Sequence, residues 1–207
     1  MKQFKKYFTA SLKVNYPAHA DQLVSQVDKE FELIYPDVNF ATTSSNPIDR
    51  RLIFCAYFLA LIKVLDKSGE SFEKIRMVSL EVVKEYVRPK NGLQRFLKKL
   101  PPRLIQIGLV KALLKHLAKR VSKKGHADGF AASMIFDKNQ TYGLGYGVDI
   151  LECGICKLFK KHRYEKYASI LCEVDEVTSN LAGLKLIRSG TIANGAMKCD
   201  FRYARMK

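Results

Sequence analysis

The spacing of apolar residues changes once along this chain, at Ser122 to Gly129, and that change constrains the fold more than anything else in it. Before it, large apolar side chains recur every three or four positions, as on one face of a helix. After it they alternate, as on one face of a strand. The pattern predicts a single α+β domain over 1–207: an N-terminal helical bundle over 1–121, then over 129–205 an antiparallel β-sheet of about four strands ending in a C-terminal hairpin. With 207 residues, 47% of them hydrophobic, the chain can bury one sizeable core.

In the helical part, Phe4, Tyr7, Phe8 and Leu12 mark a first helix that Asn15-Tyr16-Pro17 breaks. A second runs from about Pro17 to Ile34, with Leu23, Val24, Val27, Phe31 and Ile34 inward, until Tyr35-Pro36 ends it. Ala41 to Asn46 reads as a loop, with Asn46 as N-cap, Pro47 as first helical residue and Asp49 in the first turn of a helix reaching about Leu65. That helix is apolar nearly all round, which places it at the centre of the bundle. Its run Leu52 to Ile62 is too short to span a bilayer, which takes about 20 residues. Ser71 caps a further helix carrying Phe72, Ile75, Val82, Val83 and Tyr86, and Pro89 ends it. Asn91-Gly92 reads as a loop and Leu93 to Leu100 as a short helix. Pro101-Pro102 opens a longer one with Leu104, Ile107, Val110, Leu114, Leu117 and Val121 inward and Lys111, Lys115, Lys119 and Arg120 on its solvated face.

In the sheet part, Phe130 to Phe136 reads as a strand and Asp137 to Gln140 as the turn after it. Tyr142 to Ile150 reads as a second strand with Gly143, Gly145 and Gly147 along one face, bare enough for a neighbour to approach the backbone. A short helix at Tyr164 to Ile170 leads to Cys172. Asn194-Gly195 suits a type I′ turn, which sets Thr191 opposite Lys198, Ser189 opposite Asp200 and Ile187 opposite Arg202. Alternation then gives Asp200, Arg202, Ser189 and Thr191 one polar face, and Cys199, Phe201, Tyr203, Arg188 and Leu186 the other.

The formal net charge is +16, which favours an anionic partner. No RNA-binding signature or zinc-finger spacing accompanies the basic residues, so a small anionic substrate is expected and specific nucleic-acid binding is not. Met1 to Lys6 leads into an amphipathic stretch without an apolar signal region, and the cysteine count of five is odd. Both point to a cytoplasmic protein with reduced thiols and no transmembrane segment; a homo-oligomer remains open. Cys153 and Cys156 form a C-x2-C pair, with Cys172 and Cys199 following singly. Four such thiolates can hold zinc, but only one pair has ligand spacing, so no metal or cofactor is assigned.

Arg188-x-x-Thr191-Ile192-x-x-Gly195-x-x-x-Cys199-Asp200-Phe201-Arg202-Tyr203, with Cys153 and Cys172-x-x-Asp175 upstream, resembles the signature of the L-2-amino-thiazoline-4-carboxylic acid hydrolase family over about residues 146–204. It departs at Gly154, where that family commonly has proline. The resemblance implies hydrolytic opening of a cyclic amidine to an N-carbamoyl-cysteine product, as part of cysteine metabolism. It makes Asp200 and Asp175 candidates for acid–base work and for holding the protonated amidine, and Cys172, Cys153 and Cys199 candidates for a thiolate nucleophile. Arg202 and Arg188, with Thr191 and Asn194, become candidates for substrate binding. A helical part followed by a sheet ending in a Gly-x-x-x-Cys strand also loosely resembles 4-vinyl-reductase-type domains, which implies instead a non-enzymatic small-molecule- or metal-binding sensor.

Overall fold

A helix apolar on every side is stable only where packing surrounds it, and Arg51–Lys67 is such a helix. In the computed structural model, which describes residues 2–88 and 108–206, its residues Cys55 to Ile62 are all buried. Seven α-helices and four strands lie among the described residues. Helices α1 (Lys2–Asn15), α2 (Ala20–Ile34) and α4 (Phe72–Val87) pack around α3 (Arg51–Lys67). Their inward stripes Phe8 and Leu12, then Leu23, Val27, Phe31 and Ile34, then Ile75, Val78, Val82 and Val83, close the core. Ser71 caps α4 as expected, accepting from the Lys74 N–H at 3.2 Å. The readings at Pro89, Asn91-Gly92, Leu93 to Leu100, Pro101-Pro102, Leu104 and Ile107 lie outside the described residues. Helix α5 (Gly108–Val121) buries Val121 and half-buries Val110, Leu114 and Leu117.

The two halves are joined by a buried polar knot. Asn46 caps the short turn Pro47–Arg50 ahead of α3, accepting from the Ile48 N–H at 3.1 Å. Its amide NH2 also reaches the carbonyls of Val121, Lys123 and Phe130 at 3.1–3.2 Å. Asp49, fully buried, accepts from the Phe130 N–H at 2.8 Å and from the Ser44 hydroxyl. This knot fixes where the chain turns from α5 into the first strand. Glycine is required there: a Cβ on Gly129 would stand 2.7 Å from the Asp49 carboxylate, and one on Gly125 would stand 2.2 Å from the Ser44 Oγ.

Strands β1 (Ala131–Ile135), β2 (Gly147–Glu152), β3 (Leu184–Ile187) and β4 (Cys199–Arg205) form an antiparallel sheet in the order β1-β2-β4-β3. Between β2 and β3 lie α6 (Gly154–Lys161) and α7 (Ala168–Leu181), so Cys172 sits within a helix. Two expectations are corrected. Tyr142 to Tyr146 is not strand: Tyr142, Gly143 and Gly145 have φ of 51°, 78° and 73°, and the chain turns there. Gly147 alone is a strand glycine with a close neighbour, the Arg202 stem, whose Cδ would be 3.0 Å from an added Cβ. Secondly, Ile187 does face Arg202, but the β3–β4 connection is no two-residue turn. The ladder stops at Ile187 because the Asp200 carboxylate takes the N–H groups of Ser189 and Gly190 at 2.9–3.2 Å. Residues Ile192–Asn194 form a 3-10 turn with Gly195 left-handed, and Thr191 is carried off the polar face into the interior.

On the outer face of the sheet, buried Asp149 meets Lys198 at 2.6 Å and Arg202 at 2.8 Å. Burial opposes its ionisation, but the two cations outweigh that and hold its carboxyl below the usual value.

Gly129→Ala should cost about 2 kcal/mol through overpacking, read as a lower urea midpoint at unchanged m-value. A carboxyl depressed on folding stabilises fully above its unfolded pKa and loses that contribution as pH falls through the folded value. Asp149→Asn should therefore cost about 2 kcal/mol at neutral pH. It should also flatten the acid-side decline of stability below about pH 4, measured by urea titrations at stepped pH.

Candidate active site

The inner face of the sheet brings together side chains that lie far apart in sequence. Arg188, just past β3, points inward from opposite Phe201, and its guanidinium lies over that ring at 5.7 Å. Its Nη2 donates to the Cys172 carbonyl at 3.1 Å, whereas its buried Nη1 has no partner. The buried Thr191 Oγ1, beside the Cys172 thiol, accepts and donates nothing else. Buried donors without acceptors are costly, so two such atoms on residues that both adjoin Cys172 mark a place shaped for a ligand.

Helix α7 supplies the acid. It is seated by the Arg76–Glu173 ion pair to α4, at 2.6 Å, and by the stack of Tyr167 on Phe72. Asp175 is thereby aimed at the start of α3, where Arg51 Nη2 donates to its Oδ1 at 3.1 Å. Burial pushes the Asp175 carboxyl up, and the charges of Arg51 and Arg188 partly offset this. Arg51 keeps 58% of its side chain accessible while paired with Asp175. The stacked rings of Tyr146 and Tyr203, 5.9 Å apart, stand near the same arginine.

The thiols gather here too. Cys153 is the N-cap of α6, where its side chain closes no cap hydrogen bond, and Cys156 follows at the third helical position. The neighbouring Cys156 and the start of the helix hold the Cys153 thiol below its ordinary range against the opposing effect of burial, while the Cys156 thiol is pushed up. Burial pushes Cys172 up to about 11 and Cys55, one turn along α3 from Arg51, up to about 12. Cys199 is buried and accepts the Ile192 N–H at 3.2 Å, which pins the turn. Among the described residues, no three His, Cys, Asp or Glu side chains converge as metal ligands.

Of the residues singled out from sequence, Cys153, Cys172, Asp175, Arg188, Thr191 and Cys199 are thus brought together on the inner side. Asp200 and Arg202 are not, because alternation along β4 turns them to the outer face. There Asp200 is occupied by Ser189 and Gly190 and Arg202 by Asp149. Asn194 sits exposed on the turn. The histidines near the sheet are engaged elsewhere, His162 with Asp37 at 3.0 Å and His126 stacked on Phe40. A groove of about 340 Å³ lined by Phe4, Phe31, Tyr35 and Tyr57 is also remote from the thiols. The residues that sequence reading missed are Arg51, Tyr146 and Tyr203. Arg51 left a signal: paired arginines opening a helix oppose its dipole, at about 0.3–1 kcal/mol, and so call for an acid from elsewhere.

The family model for L-2-amino-thiazoline-4-carboxylic acid hydrolase matches residues 50–203, a span that takes in Arg51 and α3 as well as the C-terminal third. Neither a curated protein nor a solved structure matches the chain. No helix among the described residues is long and apolar enough to cross a membrane.

Thiol reactivity follows thiolate fraction. Cys153 should be alkylated by iodoacetamide with a pH midpoint below the ~8.5 of a free thiol, and before Cys172 and Cys55, as read by peptide mapping of timed quenches. Equal rates at all three would show that the α6 N-terminus does not activate Cys153.

Proposed function

The chain belongs to the L-2-amino-thiazoline-4-carboxylic acid hydrolase family, and we propose that it opens the ring of a cyclic amidine bearing a carboxylate, such as L-2-amino-thiazoline-4-carboxylate, to an N-carbamoyl-cysteine-type product. The observation that carries this reading is the placement of Cys153 at the N-terminus of α6 on the same inner side as Asp175 and the unpaired Nη1 of Arg188.

The roles follow from charge and polarity. The Arg188 fork and the Thr191 hydroxyl receive the substrate carboxylate, supplying the acceptors that both lack. Asp175, oriented by Arg51, holds the protonated amidine by its N–H groups and so keeps C2 electrophilic. The Cys153 thiolate attacks C2, and the adduct collapses by breaking the bond from C2 to the ring sulfur, which leaves as the product thiolate. Water then adds to the same carbon. Asp175 takes one of its protons and the product thiolate the other, and the bond to Cys153 breaks, leaving a urea. Cys172 and Cys199 line the cleft without attacking. Asp200 and Arg202 serve from the outer face by bracing the turn that carries Thr191.

The test is mass-resolved turnover of L-2-amino-thiazoline-4-carboxylate by folded wild type and variants. Cys153→Ser and Asp175→Asn should each lose about a thousandfold or more in kcat. Arg188→Lys should act chiefly by raising KM, since an ammonium cannot replace the planar fork. Cys199→Ser and Asp200→Asn should lower stability more than kcat. Turnover surviving Cys153→Ser but lost with Asp175→Asn would replace the thiolate by carboxylate-activated water. A folded wild type that binds the compound without turning it over would favour the sensor reading.

A further inference from the structure

The α6 N-terminus holds two thiols where the proposed reaction uses one. Cys153 is the N-cap and Cys156 the third residue of the helix, positions i and i+3 that lie on one face of its first turn. The two thiols stand close enough to bias each other's ionisation in opposite directions. Both residues are half-buried, and all five cysteines are free thiols. The other three are differently placed. Cys55 is sealed in α3, Cys199 is buried under the Ile192 N–H, and the Cys172 thiol is turned towards Thr191.

We propose that Cys153 and Cys156 are a reversible dithiol–disulfide couple that exchanges with low-molecular-weight disulfides. The Cys153 thiolate attacks one sulfur of a disulfide RSSR, forming a mixed disulfide and releasing RS⁻. Cys156, losing its proton to solvent or to the departing thiolate, attacks the Cys153 sulfur, and the second RS⁻ leaves. In sum the dithiol is oxidised by two electrons and RSSR is reduced to two RSH. The helix N-terminus at Cys153 favours the thiolate in the first step, and Cys156 resolves the second. A further consequence rests on the reading of Cys153 as nucleophile: the closed pair has no thiolate for C2, so disulfide stress stops an enzyme whose own product is a thiol.

The experiment equilibrates the full chain in glutathione buffers of graded reduced-to-oxidised ratio, quenches with acid, alkylates, and maps peptides by mass spectrometry. The expected result is one two-electron transition to an intramolecular Cys153–Cys156 disulfide, reversed by dithiothreitol, with Cys55 still a thiol. Cys156→Ser should stop at a glutathione adduct on Cys153. The proposal is overturned if both cysteines stay reduced throughout, if Cys153 pairs with Cys172 or Cys199, or if the wild type accumulates the glutathione adduct. The disulfide is read without any substrate, so its failure is separate from failure of the hydrolase reading. A chain that forms it yet turns over nothing supports the couple and sinks the hydrolase. Parallel loss and recovery of turnover supports both.

Discussion

The buried carboxylate of Asp49 is the point on which both halves of the molecule depend. A charge withdrawn from water is tolerable only when hydrogen bonds replace the lost solvation, and here the Phe130 N–H and the Ser44 hydroxyl do so. Asn46 beside it gathers the carbonyls that α5 and its following turn leave unpaired. Because these donors and acceptors come from both sides of the change in periodicity, the bundle and the sheet cannot shift against each other without stranding a buried polar group. The residues that open α3 therefore also fix the first strand, and with it the height at which the inner face of the sheet meets Arg51.

The sheet then separates two tasks by alternation alone. Side chains of β4 that face outward make ion pairs and N–H contacts that hold the β3–β4 connection in shape. Those that face inward meet α3, α6 and α7 across a cleft lined by thiols, tyrosines and arginines. The compact signature around Cys199 to Tyr203 thus mixes residues of both kinds. Asp200 gives up three N–H or O–H contacts' worth of acceptor capacity to the backbone and side chain at Ser189 and Gly190. A carboxylate so occupied has little acceptor capacity left, whereas Asp175, raised by burial, gives one oxygen to a single arginine.

Electrostatics within the cleft pull in opposite directions. Burial raises the carboxyl and most of the thiols, and Arg51 and Arg188 oppose it. Cys153 alone among these thiols is lowered, because only it combines the N-cap position of a helix with the neighbouring Cys156. The net charge of +16 adds a long-range bias towards anions, which suits a carboxylate-bearing substrate without selecting one.

The sequence by itself determined the helix-then-sheet order, the central place of α3, and the caps at Asn46 and Ser71. These are written in periodicity and in local hydrogen-bonding chemistry, which act within a few residues. The family was legible too, in the ordered spacing of Cys153, Cys172, Asp175 and the C-terminal signature. Only the tertiary structure decided that Asn194-Gly195 would not form a two-residue turn, because Asp200, a side chain across the ladder, takes the N–H groups of Ser189 and Gly190 and ends the ladder short of it. It alone brought Arg51 to Asp175 over a separation of 124 residues. It alone also chose the inner face over the outer as the place where the thiols gather. Alternation tells which residues share a face, but what packs against that face, and so which carboxylate is left free to react, depends on helices whose position no local pattern encodes.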